Sequence, residues 1–141
     1  MNAPATVVVE AGHYGRLVVA RLKPNEDLVE ALESLCATQG IARAVVRSAV
    51  GSLIEAQLAW GSGDAAQTTI VPGPGVEILN VLGEVSTEQT GRTSLSGMVG
   101  GTDGRLHAGH FVRGANRSFI TIEVTLQEWL VDTRTEAASA G

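Results

Sequence analysis

One cysteine, four prolines and five aromatic side chains among 141 residues are few, and each scarcity removes a class of protein. Cys36 has no second cysteine with which to form an intramolecular disulfide, a zinc site or an iron–sulfur cluster, so a reducing compartment is expected. Aromatics at 4% provide no run of stacking platforms, and the core must come from Val, Leu, Ile and Ala. Excess basic charge is missing as well. A formal net charge of -5 speaks against a general binder of nucleic acid, although a local basic face is compatible with it. No apolar run approaches the roughly 18 residues of a membrane span, and Met1 to Glu10 lacks the basic region and apolar core of a signal peptide. A soluble cytoplasmic protein is expected, with no membrane partner and no cofactor.

What is present suffices for folding. With 44% hydrophobic and 18% charged residues, the chain has the apolar content of one globular domain, expected over residues 1–131 and followed by a disordered tail over residues 132–141. Two β-branched runs, Thr6–Glu10 and Arg16–Leu22, flank a glycine-containing stretch that suits a turn. Pro24-Asn25-Glu26-Asp27 predicts a helix start, with Asn25 as cap and Glu26 and Asp27 in the first turn, and Gly40 predicts its end. Leu28, Leu32, Leu35 and Cys36 recur between them at the spacing of one buried helical face.

Strand patterns dominate after Gly40. Ile41–Val50 is broken at Gly51-Ser52 before Leu53–Trp60, and Thr68–Val71, Val76–Val85, Thr93–Val99, Leu106–Val112 and Phe119–Val131 follow. Asp103-Gly104 predicts a hairpin turn. About eight strands and one convincing helix predict an α+β domain, a mainly antiparallel sheet packed on that helix.

Chemistry-bearing motifs are sparse. The stretch from Gly97 to Gly104 is glycine-rich but lacks the Lys-Ser/Thr pair of a phosphate loop, and no helix follows it, so a hairpin is the better reading. His107 and His110 fall on opposite faces of a strand and do not suit one metal ion. Ser48, Ser52, Ser94 and Ser96 could serve as nucleophiles with His110 as base and Glu77 as orienter, yet no serine lies in a nucleophile elbow. Glu77 sits in the apolar run Gly75–Leu79, either turned toward a pocket or subunit contact or simply outward between Val76 and Ile78. Between Gly91 and Ile120, Arg92, Arg105, Arg113 and Arg117 face only Asp103, whereas Lys23 to Gly40 is acidic. Such asymmetry suits a solvated face, a subunit contact or DNA phosphates.

Four segments taken together, Leu22–Leu28, Arg47–Leu53, Gly73–Leu79 and Asp103–His110, resemble the plant and prokaryote conserved (PPC) domain in order and spacing across roughly Leu17 to Val131. The resemblance implies a sheet wrapped around a helix, a homotrimer, and kinship with small stand-alone prokaryotic proteins that carry a DNA-binding label. The related plant proteins reach DNA through an Arg-Gly-Arg-Pro hook outside this domain, and no such sequence occurs here. Many prokaryotic relatives have a His-x-His pair that joins a third histidine in a metal site. At those positions this chain reads Ser94-Leu95-Ser96, which leaves only His110, so a three-histidine site within the chain is not expected. Gly75–Leu79 resembles a stretch that the plant proteins use to contact partners.

The expectation is a trimeric, non-catalytic binding module of DNA-binding or regulatory type, its partners being itself and DNA, a protein or a small ligand. A cleft between subunits would be lined by Ser48, Glu77, Ser94, Ser96 and His110. Nucleic acid, if bound, would meet Arg92, Arg105, Arg113 and Arg117. The alternative is a small-molecule or metal-dependent enzyme using His110 and Glu77 as an acid–base pair in that cleft.

Overall fold

The computed structural model describes residues 5–89 and 91–134. In chain order it contains β1 (Glu10–Leu22), α1 (Leu28–Gln39), β2 (Arg43–Leu53), β3 (Ala56–Trp60), β4 (Gln67–Val71), β5 (Val76–Ser86), β6 (Ser94–Gly100), β7 (Leu106–Phe111) and β8 (Ser118–Arg134). The strands form one eight-stranded sheet in the order β1-β8-β2-β5-β6-β7-β3-β4, every neighbouring pair antiparallel. This is the α+β architecture that the strand and helix patterns predict. The chain's last strand, β8, lies between β1 and β2 and draws the two ends of the sequence into one sheet.

Helix α1 starts two residues later than its capping signal suggests. Asn25 adopts a positive φ of 71° and takes no part in the cap. Asp27 caps instead, its Oδ2 accepting the N–H groups of Val29 at 3.1 Å and Glu30 at 3.0 Å. Gly40 ends the helix with φ 70°, and the N–H of Ile41 reaches back to the carbonyl of Cys36 at 2.8 Å. Leu28, Val29, Leu32 and Cys36 bury the inner helical face against Ile78, Val81, Val85, Leu95, Val99, Ile122, Val124 and Leu126 of the sheet. Full burial of side chains such as Leu32 and Leu58 stabilises by roughly 1.5–3 kcal/mol each.

Two glycine signals that predict interruptions mark close backbone contacts within strands. The turn expected between Thr6–Glu10 and Arg16–Leu22 is absent, because β1 runs continuously from Glu10 to Leu22 with register shifts at Ala11/Gly12 and Tyr14/Leu17. A Cβ on Gly12 would lie 2.0 Å from the carbonyl oxygen of Leu130, so glycine here permits pairing with β8. Gly51-Ser52 likewise does not end β2. Gly51 has φ 148°, and a Cβ there would lie 2.3 Å from the Thr121 carbonyl oxygen. The Asp103-Gly104 turn does join β6 to β7, with Gly104 at φ 84°. β8 continues through Arg134, opposite Glu10, and the rest of the expected tail, residues 135–141, lies outside the described residues.

The outer face of the sheet is rich in apolar side chains. Leu17 and Val19 of β1, Val50 of β2, Ile70 of β4, Leu79 and Leu82 of β5 and Leu106 of β7 are exposed. Among the described residues no helix is long and apolar enough to cross a membrane.

Candidate functional site

Ser96 on β6 lies directly opposite His110 on β7, and His110 is in turn opposite Ala59 on β3. Alternation along β7 buries Phe111 and turns Ala108 and His110 outward. An open groove of about 390 Å³ runs over this part of the sheet. Ser96 and His110 form its polar part, with Asn80 and Leu82 of β5, Met98 of β6 and Trp60 at the end of β3 around them. Two of these are pinned. Asn80 Oδ1 accepts the Met98 N–H at 2.9 Å, and the Trp60 indole N–H donates to Thr69 Oγ1 at 3.2 Å. Among the described residues no carboxylate, ammonium or guanidinium lines the groove, so it has hydroxyl, amide and imidazole groups with which to hold a ligand but no fixed charge.

The other proposed cleft residues lie elsewhere. Ser94 shares the Ser96 side of β6 but sits opposite Glu84 and does not line the groove. Ser48 pairs with Thr125 of β8 and is separated from β6 by β5. Glu77 is exposed between buried Val76 and Ile78, the outward alternation that its surroundings in sequence allow. It faces Gly100, four residues along β6 from Ser96, which puts it on the order of 13 Å along the sheet from the Ser96–His110 pair. An acid–base pair of Glu77 with His110 is therefore not assembled within this chain. Nor does the groove hold the third member of a Ser–His–acid triad.

The residues do not fit a metal ion within one chain. His110 is the groove's single imidazole, Ser94 and Ser96 supply hydroxyls where thiolate or imidazole is needed, and no group of three metal-ligating side chains occurs among the described residues. His107 faces a different concavity, beside Val71, Pro72 and Asp103.

The four arginines do not form one basic surface. Arg92 precedes β6 and Arg105 follows the hairpin at its other end. Arg105 pairs with Asp103 at 3.7 Å. Arg113 donates to Glu33 at 2.5 Å, a bond that holds the Glu33 carboxyl below its usual range. Arg92 and Arg117 are exposed, with no ion pair among the described residues.

Residue patterns alone missed Trp60, Asn80, Leu82 and Met98 as groove neighbours of His110. Their meeting depends on β3 pairing with β7 across an intervening stretch of chain, and on a register shift between Ile78 and Asn80, neither of which is a periodicity of the sequence.

The sequence profile of the Plants and Prokaryotes Conserved (PCC) domain matches residues 9–130. No curated protein matches. Among solved structures, a metal-containing protein from Archaeoglobus fulgidus is similar with a TM-score of 0.75 and 22% identity, over 90% of this chain and 89% of that one. A plant- and prokaryote-conserved protein from Pyrococcus horikoshii follows with TM-score 0.72 and 21% identity, over 88% and 85% of the two chains. A Bacteroides thetaiotaomicron protein that bears a provisional DNA-binding name has TM-score 0.70 and 19% identity, over 87% and 86%. At these identities the likeness is one of fold.

Proposed function

Since the chain belongs to the Plants and Prokaryotes Conserved domain family, we propose that it is a non-catalytic binding module that works as a homotrimer in a reducing cytoplasm and serves a regulatory role. The observation that carries this reading is the Ser96–His110 pair in an uncharged groove on a sheet face that also exposes several large apolar side chains. Exposed Leu17, Val19, Val50, Leu82 and Leu106 form the kind of surface that soluble proteins cover by association. Packing copies through this face puts the groove at or beside a subunit boundary, where neighbouring chains deepen it. The absence of fixed charge favours a neutral small ligand or an uncharged partner segment over a phosphorylated one.

The test is sedimentation together with a thermal-shift screen. The reading expects three times the 14.6 kDa chain mass and stabilisation by neutral ligands that His110→Ala abolishes. A monomer stabilised by no ligand overturns it.

A second reading, DNA binding, is supported by the provisional DNA-binding names of neighbours from Bacteroides thetaiotaomicron and Ralstonia eutropha and by the exposed Arg92 and Arg117, which have no ion pair among the described residues. Titration of duplex DNA at low and physiological salt tests it, because phosphate contacts must appear as affinity that falls steeply with salt. Replacing Arg92 and Arg117 should flatten that slope. No binding at either salt retires this reading and leaves the groove.

A further inference from the structure

The β2–β3 and β7–β8 connections meet in a separate concavity of about 340 Å³, lined by Ile54, Glu55, Gln57, Gly114, Ala115 and Arg117. Its walls are fixed from behind. Asn116, fully buried between the two connections, accepts the Gln57 N–H at 2.9 Å and donates its amide to the carbonyls of Gln57 and Val112, both at 3.0 Å. The Arg117 carbonyl accepts the N–H of Ile54 at 2.9 Å, which ties one wall to the other. The backbone of the concavity is thus set before any ligand arrives.

Its charged side chains, in contrast, have unused capacity. Arg16, Arg21, Arg43, Arg105 and Arg113 each pair with a carboxylate, and Arg47 lies over the Tyr14 ring. Arg117 has no side-chain hydrogen bond or ion pair among the described residues. Glu55, half-buried on the same concavity, accepts a long bond of 3.4 Å from the Gln57 amide and has no cationic partner among the described residues. Two opposite charges therefore line one small space without neutralising each other.

We infer that this concavity binds a small zwitterion of the α-amino-acid class. The ligand carboxylate meets the planar donor fork of Arg117, and its ammonium group meets Glu55 and the Gln57 side-chain carbonyl. Ile54 and Ala115 supply an apolar wall for an uncharged side chain. Because Arg117 and Glu55 cancel in formal charge, an anion with no ammonium group is repelled by Glu55, and an amine with no carboxylate by Arg117. Both contacts are reachable by solvent, so affinity falls around the millimolar range.

Isotope-labelled protein titrated separately with glycine, leucine, glutamine, acetate and methylammonium, and followed by amide chemical shifts, tests the inference. At least one amino acid should saturate shifts confined to residues 54–57 and 114–117 within about 10 mM, while acetate and methylammonium do not saturate over the same range. Arg117→Ala and Glu55→Gln should each weaken binding at least tenfold with the remaining spectrum unchanged, which excludes misfolding as the cause. Failure of every amino acid to saturate, equal binding of acetate, or unchanged affinity in both variants overturns it.

Discussion

Asp27 Oδ1 accepts the backbone N–H of Asn116 at 2.9 Å, while Oδ2 of the same carboxylate caps helix α1. One side chain thereby joins the helix start to the β7–β8 connection, and Asn116 extends the link to β3 through Gln57. Asp27 and Asn116 are both buried, so removing either side chain leaves its partners unsatisfied. Asn116→Ala should cost on the order of 3 kcal/mol, from stranding the Gln57 N–H and two carbonyls. Urea unfolding at neutral pH measures it. A cost near zero would mean that water replaces the amide and that the junction is not a rigid support.

Gly51 makes a different kind of demand. Its φ of 148° and the 2.3 Å approach of a would-be Cβ to the Thr121 carbonyl oxygen leave no room for a side chain in the β2–β8 pairing. Gly51→Ala should destabilise by about 1–3 kcal/mol, visible as a lower denaturation midpoint with an unchanged m-value. Gly40→Ala, with open space around it, bears only the positive-φ penalty at the helix end and should cost less.

These two positions show what the sequence made legible. Gly40 and Gly104 lie where local chemistry decides, at a helix end and a hairpin turn, and they were readable. Gly12 and Gly51 follow no local rule, since the groups they avoid belong to β8, 70 or more residues away. The helix face is similarly plain from Leu28, Leu32 and Cys36, whereas the cap is Asp27 and not the expected Asn25, because Asn and Asp two residues apart are equivalent until tertiary bonds choose between them. In the candidate site, the family resemblance pointed to Ser96 and His110, and strand register then brought them together. Ser48 and Glu77 share their residue chemistry but not their place in the sheet order.

Acid should expose the contribution of Glu128. Arg16 lowers its pKa, mainly through side-chain hydrogen bonding and then through the Arg16 backbone N–H, below the ordinary value of 4.5. A carboxyl whose pKa is depressed by folding stabilises above its unfolded pKa, and that contribution is lost as pH falls through the folded one. Glu33, held down by Arg113, has the same sign. Stability should therefore be nearly flat from pH 7 to about 5 and fall below about 4.5. Because Arg16 is half-exposed, the effect is modest and weakens with salt. Glu128→Gln keeps an acceptor for the Arg16 N–H but should reduce the acid slope, measured as the urea midpoint against pH.

Cys36 should be inert in the native protein. It is fully buried, and burial first, then the nearby charges of Glu128 and Glu33, push its thiol up to about 11. At pH 8 its thiolate fraction is on the order of 100-fold below that of a free cysteine, before access is considered. Reaction with a disulfide reagent should proceed at the unfolding rate and accelerate in urea. Rapid labelling of folded protein would show that α1 opens locally from the sheet.

The outer sheet face gives the sharpest test of assembly because it can be charged without touching the core. Leu82 is 59% exposed on β5 and borders the groove, while its neighbour Val81 is buried. Leu82→Glu removes no core contact, so far-UV circular dichroism and the thermal midpoint of the isolated fold should persist. In an assembly that buries this face, the same carboxylate must lose its water, a penalty of several kcal/mol in each subunit. If the proposed trimer forms through this face, sedimentation should then show the mass fall from three chains to one, and the proposed ligand stabilisation through His110 should vanish with it. If the mass stays at three chains, the contact lies at the other end of the face, and Val19→Glu on β1 and Val50→Glu on β2 become the dissociating substitutions.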